Sequence, residues 1–285
     1  MKYAIFYSRD FVYKCSCETF VKQLKSNIFV GVQGYYYLSM NYLVGIDDTD
    51  NLESRGTGFI GRTMAQQIVA NGLGKTGAIS RHQLLFDPRV PYTSHNSSLC
   101  IEVETECPDN LLNFMIAYLL KACAIGSDCG LCMVDANNVP TSIIEWGLTA
   151  KKELVRQIDG LNLSKKENIV LIGLTGNHDG VIGSMGAVGL RASGNDGRFV
   201  ALKGVDVRTI TGIKTPAELK KLVELHSVVT PEGEPVNENE PILMEGWLRP
   251  VNRNGNITLI VNKIINNTDY GYKLADKDYI KSISN

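Results

Sequence analysis

From residue 40 onward, short apolar runs alternate with amphipathic stretches. Tyr42–Ile46 is an apolar run ending in acids, which predicts a strand. Thr57–Ala70 places Phe59, Ile60, Met64 and Ile68 at helical spacing and stops at Asn71-Gly72, which predicts a helix with a glycine terminator. Gly77–Phe86 reads as extended, Leu99–Glu104 alternates as a strand, and Asp109–Ala122 reads as a helix opened by Asp. Leu131–Val134 predicts a short strand. Thr141–Gln157 predicts one helix carrying Ile143, Ile144, Leu148 and Leu154. The continuous apolar run Ile169–Leu174 predicts a buried strand, Gly180–Ala192 a helix of small residues, and Phe199–Lys203 a strand. This alternation predicts an α/β (α+β) fold, with helices covering sheet.

The two ends read differently. Pro216–Leu225 has helical spacing and Val228–Pro241 is polar and turn-rich. Ile242–Leu248 and Ile257–Ile264 read as strands flanking Asn252-Arg253-Asn254-Gly255, and an Asn-Gly between such runs predicts a hairpin. Residues 207–285 therefore read as a small β-rich region. Before residue 40, Lys2–Phe6 could form a strand and Cys17–Leu24 a helix. Gly34-Tyr35-Tyr36-Tyr37-Leu38 then leads to Met40, directly ahead of the first clear strand. The expectation is that Met40 is the true start and 1–39 a mis-annotated or poorly ordered extension. The alternative is a genuine extra hairpin or helix.

Four segments carry chemistry. Val44-Gly45-Ile46-Asp47-Asp48-Thr49-Asp50-Asn51 puts three carboxylates and two neutral oxygen ligands where a strand meets its loop. Clustered carboxylates stay ionised together only if a cation or several donors compensate. Hard oxygen ligands suit Mg²⁺, which typically takes one or two protein carboxylates plus phosphate oxygens and water. Strand alternation puts Asp47 opposite Asp48 and Asp50, unless a loop starting at Asp48 relaxes it. The alternative is an acidic turn capping the next helix. Arg55-Gly56-Thr57-Gly58 precedes a helix N-terminus, where anions bind, or is an ordinary loop with a Thr cap. Gly173–Gly183 is a glycine-rich loop containing Gly176, Asn177, His178, Asp179 and Gly180. It has the outline of a phosphate-cradling turn but lacks Gly-Lys-Ser/Thr. Its small residues would equally allow close helix–sheet packing without a ligand. Asp87–Asn96 holds two prolines that stiffen a loop presenting Arg89, Tyr92, His95 and Asn96, either to a substrate or as a plain surface connection.

Composition narrows the class. The formal net charge of −1 exerts no long-range pull on nucleic acid or an anionic membrane, and no dense basic run is present. RNA binding would thus be weak without a partner. Seven cysteines without a secretory pattern argue against a disulfide scaffold. Cys129-Gly-Leu-Cys132 is half of a zinc spacing, but Cys15 and Cys17 do not complete it, so reduced structural thiols are expected. No apolar run approaches the ~20 residues of a membrane span, so no membrane is expected and the cytoplasm is the default location.

Gly45-Ile46-Asp47-Asp48-Thr49-Asp50, the Asp-Pro-x-x-Pro-Tyr stretch at 87–92 and Gly176–Gly189 follow one another in an order that resembles the TiaS family. These are archaeal synthetases that make 2-agmatinylcytidine in an isoleucine tRNA. The similarity covers residues 41–205. It implies a kinase-like domain over 40–125, a ferredoxin-like domain with the glycine-rich loop over 126–206, and ATP and Mg²⁺ as cofactors. By carry-over, Asp47, Asp48 and Asp50 would hold the metal and act in catalysis, with Thr57 near the family's autophosphorylated threonine. Thr49, Arg55, Gly56, Gly58, Gly176, Asn177, Gly180 and Gly183 would surround the nucleotide. Arg89, Tyr92, His95, Asn96 and His178 would meet the acceptor.

The departures are specific. Thr57 is followed by Gly58 where the family has adjacent threonines. Thr93-Ser94-His95-Asn96 replaces a basic segment, and the last 80 residues are too short for the family's OB-fold plus zinc ribbon. The leading expectation is an ATP- and Mg-dependent kinase- or ligase-like enzyme. It would activate a small-molecule, nucleotide or partner-presented RNA acceptor by phosphoryl or adenylyl transfer, with an amine as a second substrate. The alternatives are tRNA cytidine modification and a non-catalytic nucleotide- or metal-binding regulator.

Overall fold

The computed structural model describes residues 39–90, 95–264 and 269–284. The expectations for 1–38, and those placed on Tyr92, lie outside these residues. Strand β1 (Met40–Asp47) is followed by α1 (Thr57–Ala70), β2 (Lys75–Gln83), β3 (Ser97–Thr105), α2 (Pro108–Ala122) and β4 (Gly130–Asp135). The strands lie in the order β4-β1-β3-β2 with every neighbour antiparallel. That is the split β-α-β-β-α-β arrangement, and it spans residues 40–135. The ferredoxin-like arrangement was expected over 126–206, yet β1 and β4, on either side of residue 125, are hydrogen-bonded neighbours.

The chain continues through α3 (Thr141–Ala150), α4 (Gln157–Lys166), β5 (Val170–Gly173), α5 (Gly180–Ala192) and β6 (Arg198–Leu202). β5 extends the sheet beside β4, and β6 extends it beside β2. Alternation along the strands sorts the two faces. Val44, Ile46, Leu99, Ile101 and Leu131 pack against Ile60, Met64 and Ile68 of α1 and Leu111, Met115 and Leu119 of α2. Leu43, Cys100, Cys132 and Val134 pack against Ile143 and Trp146 of α3 and Met185 and Val188 of α5. Cys129 and Cys132 thus belong to opposite faces, so they form no half zinc site.

Helix α5 lies unusually close to the sheet. A methyl on Gly45 would fall on the Ser184 carbonyl, one on Gly130 on the Gly180 backbone, and one on Gly183 on the Asp47 carboxylate. Its small residues therefore serve helix–sheet contact.

Three elements differ from the sequence pattern. The single helix expected over Thr141–Gln157 breaks after Ala150 and restarts at Gln157. The Ala150 carbonyl accepts from Leu85 N, and Lys151 Nζ reaches the Gln83 carbonyl and Asp196, so tertiary contacts override the helical period. The apolar run at 169–174 forms an edge strand that is half-buried, not fully buried. The hairpin at Asn254-Gly255 is real, with φ of 51° and 74°, but its arms are Val251–Arg253 and Asn256–Lys263. Ile242–Met244 pairs instead with Tyr272–Leu274 and Gly212–Lys214.

The C-terminal strands continue the same sheet, through Val251–Arg253 paired with β6. They share a core in which Phe199 and Leu202 meet Leu219, Val228, Ile242 and Leu259. Helices α6 (Pro216–Leu222), fixed by a Thr215–Glu218 capping box, and α7 (Lys277–Ser284) complete the fold. Among the described residues no helix is long and apolar enough to cross a membrane.

Candidate active site

β1 is buried from Leu43 to Ile46 and emerges at Asp47. Asp48 has a φ of +50°, an uncommon conformation for a residue with a side chain, and it turns the chain out of the strand. Asp47, Asp48 and Asp50, placed on different sides by strict alternation, consequently line one cavity of about 310 Å³. Asp179 also lines it, and Asp128 stands beside Asp48. Burial, then repulsion from Asp48 and Asp50, pushes the Asp47 carboxyl up to about 8. Burial, then Asp128, Asp50 and Asp179, pushes Asp48 up to about 6. Among the described residues no Lys, Arg or His forms an ion pair with Asp47, Asp48, Asp128 or Asp179. No group of three or more Asp, Glu, His or Cys side chains among the described residues is arranged to hold a metal ion. An oxygen-only donor set without counter-ions fits a cation whose remaining ligands come from a phosphate and water.

Asp50 has a second task. Its Oδ1 accepts from Thr57 N at 3.2 Å and from Thr57 Oγ1 at 2.8 Å, so this carboxylate caps α1, whose own N-cap is Gly56. The Thr57 hydroxyl accepts from Thr49 Oγ1 at 3.1 Å. Thr49 and Thr57 are both buried, and both hydroxyls act in holding the acidic loop. Three helices begin at this cavity, with Thr57, Gln157 and Gly180 in its lining. Their N-terminal dipoles favour negative charge.

Of the remaining expected residues, Gly180, Gly183, Arg89, His95 and Asn96 line the same cavity. Arg89 is held by Asp87, its Nε donating to Oδ1 at 2.8 Å. Gly56 and Gly58 line a neighbouring cavity instead. Arg55 stacks over the Phe59 ring at 4.3 Å, outside both linings. Gly176 and Asn177 build the loop by closing on Asp128, with Asn177 N donating to its Oδ1 at 2.7 Å. His178 is exposed, packs on Gly173 and lines neither cavity. The pattern of residues did not reveal Glu153–Gln157, which enter the lining because the helix breaks there, or Asp128, which folds in from the β4 side.

The neighbouring cavity, about 270 Å³, is basic. It is lined by Arg62, Arg81, Arg198, Arg208 and Arg249 over an apolar floor that includes Leu99, Phe199 and Val207. The absence of a dense basic run in the sequence hid this cluster, because its members lie far apart in the chain and only the sheet gathers them. The two cavities share Asp50, Thr57, His95 and Ser97.

A third cluster imitates a nucleophilic triad. Ser80 Oγ lies 2.8 Å from His82 Nε2, and His82 Nδ1 lies 2.9 Å from Asp196 Oδ1. Ser80 and His82 are each 0% exposed and line neither cavity, so no substrate reaches the hydroxyl. Burial holds the imidazole below its ordinary value and hence neutral. Asp196 is paired with Lys151, which makes this a polar network of the core.

No family model matches the chain, and no curated protein matches it. Among solved structures it is similar to a tRNA fluorescent labelling enzyme, at 23% identity and a TM-score of 0.48, over 53% of this chain and 36% of that one. It is similar to TiaS in complex with its isoleucine tRNA and ATP, at 23% identity and a TM-score of 0.47, again over 53% and 36%. With TiaS bound to the tRNA, AMPCPP and agmatine, the figures are 22% identity, a TM-score of 0.46, and 52% and 36%. Over about half of its own residues, then, the chain is similar to TiaS structures, and it spans just over a third of their length.

Proposed function

We propose that the chain is an ATP- and Mg²⁺-dependent enzyme that transfers a phosphoryl group to an acceptor at the acidic cavity. The observation that carries the reading is one cavity lined by Asp47, Asp48 and Asp50 on which three helix N-termini converge. Carboxylates alone would repel a triphosphate, and helix dipoles alone would not raise the acids. A divalent cation bridging the two reconciles both features. Asp48 and Asp50, which line the same cavity, would hold the cation, which supplies neutralisation of phosphoryl charge. The helix N-termini and Arg89 would receive the phosphates.

Asp47, in the same lining as Asp48 and Asp50, is placed to take the proton released by the acceptor hydroxyl once the cation keeps its carboxylate ionised. The acceptor oxygen bonds to the γ-phosphorus, the bond to the bridging oxygen breaks, and ADP leaves. Asp50 acts partly through position, since it ties the acidic loop to α1.

The test is Mg²⁺-dependent ATP turnover, with ATP affinity by calorimetry. Asp48→Asn is expected to lower turnover by about 100-fold or more and to abolish the Mg²⁺ dependence of ATP binding. Turnover equal to that of the unaltered chain would reject the assignment.

A further inference from the structure

Five half-buried guanidiniums around one small cavity are a costly arrangement for an isolated chain. Asp206 pairs with two of them, Arg62 at 3.5 Å and Arg208 through a forked contact. Arg81 Nε donates to Ser97 Oγ at 2.8 Å, and Arg249 donates to the Trp247 carbonyl at 3.0 Å. Neither of these reaches a carboxylate among the described residues, and the Arg198 side chain has no hydrogen-bond or ion-pair partner among them. Burial, then Arg81 and Arg249, pushes Arg198 below its ordinary value. Burial likewise lowers Arg81. Counting Asp50 at the shared rim, two carboxylates face five arginines. The chain therefore gathers positive charge, half-desolvates it and leaves most of it unpaired. A bound anion removes both the repulsion and the unused donors.

We propose that this basin binds the phosphate group of a small phosphorylated acceptor. Guanidinium forks match phosphate oxygens, and the volume suits a phosphate with a short body, not a strand of nucleic acid. Trp247, 56% exposed on the rim with Arg208 5.5 Å from its ring centroid, offers a flat surface to that body. Asp50 and Thr57 belong to both cavities. A molecule anchored by its phosphate in the basin thus presents its far end to the acidic cavity. The word acceptor rests on the phosphoryl-transfer reading above, whereas the anion site stands on the arginines alone.

The experiment is calorimetry on the full chain with ribose 5-phosphate against ribose, with and without Mg²⁺–ATP. Ribose 5-phosphate is expected to bind, ribose not to bind, and inorganic phosphate to compete. Arg198→Gln should weaken ribose 5-phosphate by about tenfold or more, while Mg²⁺–ATP affinity stays within about twofold. Arg249→Gln, at a more open position, serves as a second variant if the first melts early. Asp48→Asn should leave ribose 5-phosphate binding unchanged.

Equal, absent binding of ribose and ribose 5-phosphate overturns the proposal. So does displacement of ribose 5-phosphate by Mg²⁺–ATP, which would assign the basin to the nucleotide's own phosphates. So does a short RNA binding through these arginines where ribose 5-phosphate does not. Retained ribose 5-phosphate binding in a chain that fails to bind Mg²⁺–ATP would support the anion site and remove the phosphoryl-transfer reading.

Discussion

The acidic cavity and the arginine basin adjoin each other and share a wall, yet each concentrates one sign of charge. In the first, burial and then mutual repulsion raise the carboxyls: Asp47 reaches about 8 and Asp48 about 6. In the second, burial and then the neighbouring Arg81 and Arg249 lower Arg198. The opposite clusters do not neutralise each other. Asp50 stands between them but spends Oδ1 on Thr57 and the start of α1. A core network such as Ser80–His82–Asp196–Lys151 shows how this chain treats polar groups meant only for packing: it pairs them. The two cavities leave like charges together at a cost in stability, which is the pattern of sites kept for ligands of opposite charge.

The largest separation of the two should come from Gly183→Ala. Gly183 lies against Asp47 and lines only the acidic cavity. The added methyl would fall on the carboxylate, with α5 held too tightly against β1 to retreat. Overpacking of this kind costs about 1–3 kcal/mol. The melting temperature should drop by several degrees, and the stabilisation by Mg²⁺–ATP should disappear, while ribose 5-phosphate still binds. Full stabilisation by Mg²⁺–ATP in this variant would move the nucleotide out of the acidic cavity.

A smaller effect, also confined to the acidic side, is pH dependence. A carboxyl with a raised folded pKa keeps its proton longer in the folded state than in the unfolded one. Stability is then present at low pH and lost as pH rises through the folded value. For Asp48 and Asp47 that window runs upward from their ordinary value of 3.8 to about 6 and about 8. The slope is at most about 1.4 kcal/mol per pH unit for each group. Mg²⁺ takes the place of the proton, so saturating Mg²⁺ should flatten the decline. The guanidiniums should add nothing, because they stay charged throughout, whereas His95 on the shared wall, held below its ordinary 6.5 by burial and then by Arg81, adds a small slope of the opposite sign. Urea midpoints from pH 5 to 8.5, in EDTA and in Mg²⁺, measure this. Parallel curves would show that the raised acids do not meet a cation.

The sequence showed the acidic side far better than the basic one, for a physical reason. Asp47, Asp48 and Asp50 are close in the chain, so a strand and its loop suffice to bring them together. Their periodicity misled on one point: the +50° φ at Asp48 has no signature in the alternation. α1 was legible to the residue because its apolar spacing and its Asn71-Gly72 stop agree. The break at Ala150 was not, since Leu85 holds the Ala150 carbonyl and Gln83 and Asp196 hold Lys151 from across the fold. The arginines come from α1, β2, β6, a short 3-10 turn at 207–209 and a later loop, and no local rule unites them. The strand order that does so depends on long-range pairing, such as β2 with β6. The Gly180–Ala192 helix was read correctly, but its small residues proved to fit the sheet, with only its first turn at the cavity.

The finest adjustment of the contrast lies in Asp206, the carboxylate that restrains the basin. Its Oδ1 accepts from Arg208 N at 3.1 Å and from Arg208 Nε at 2.8 Å, and its other oxygen faces Arg62 at 3.5 Å. Asp206→Asn keeps the shape and an acceptor for the backbone while removing the charge. The lost ion pairs are partly exposed and should cost about 0.5–1 kcal/mol of stability. Arg62 and Arg208 then become available to a ligand. Ribose 5-phosphate should bind about two- to fivefold tighter and with a steeper dependence on salt, while Mg²⁺–ATP turnover stays unchanged. Calorimetry at two ionic strengths reads both changes. Weaker binding in the variant would mean that Asp206 holds the two guanidiniums in their forked geometry and is part of the anion site, because loss of orientation would then outweigh the gain in charge.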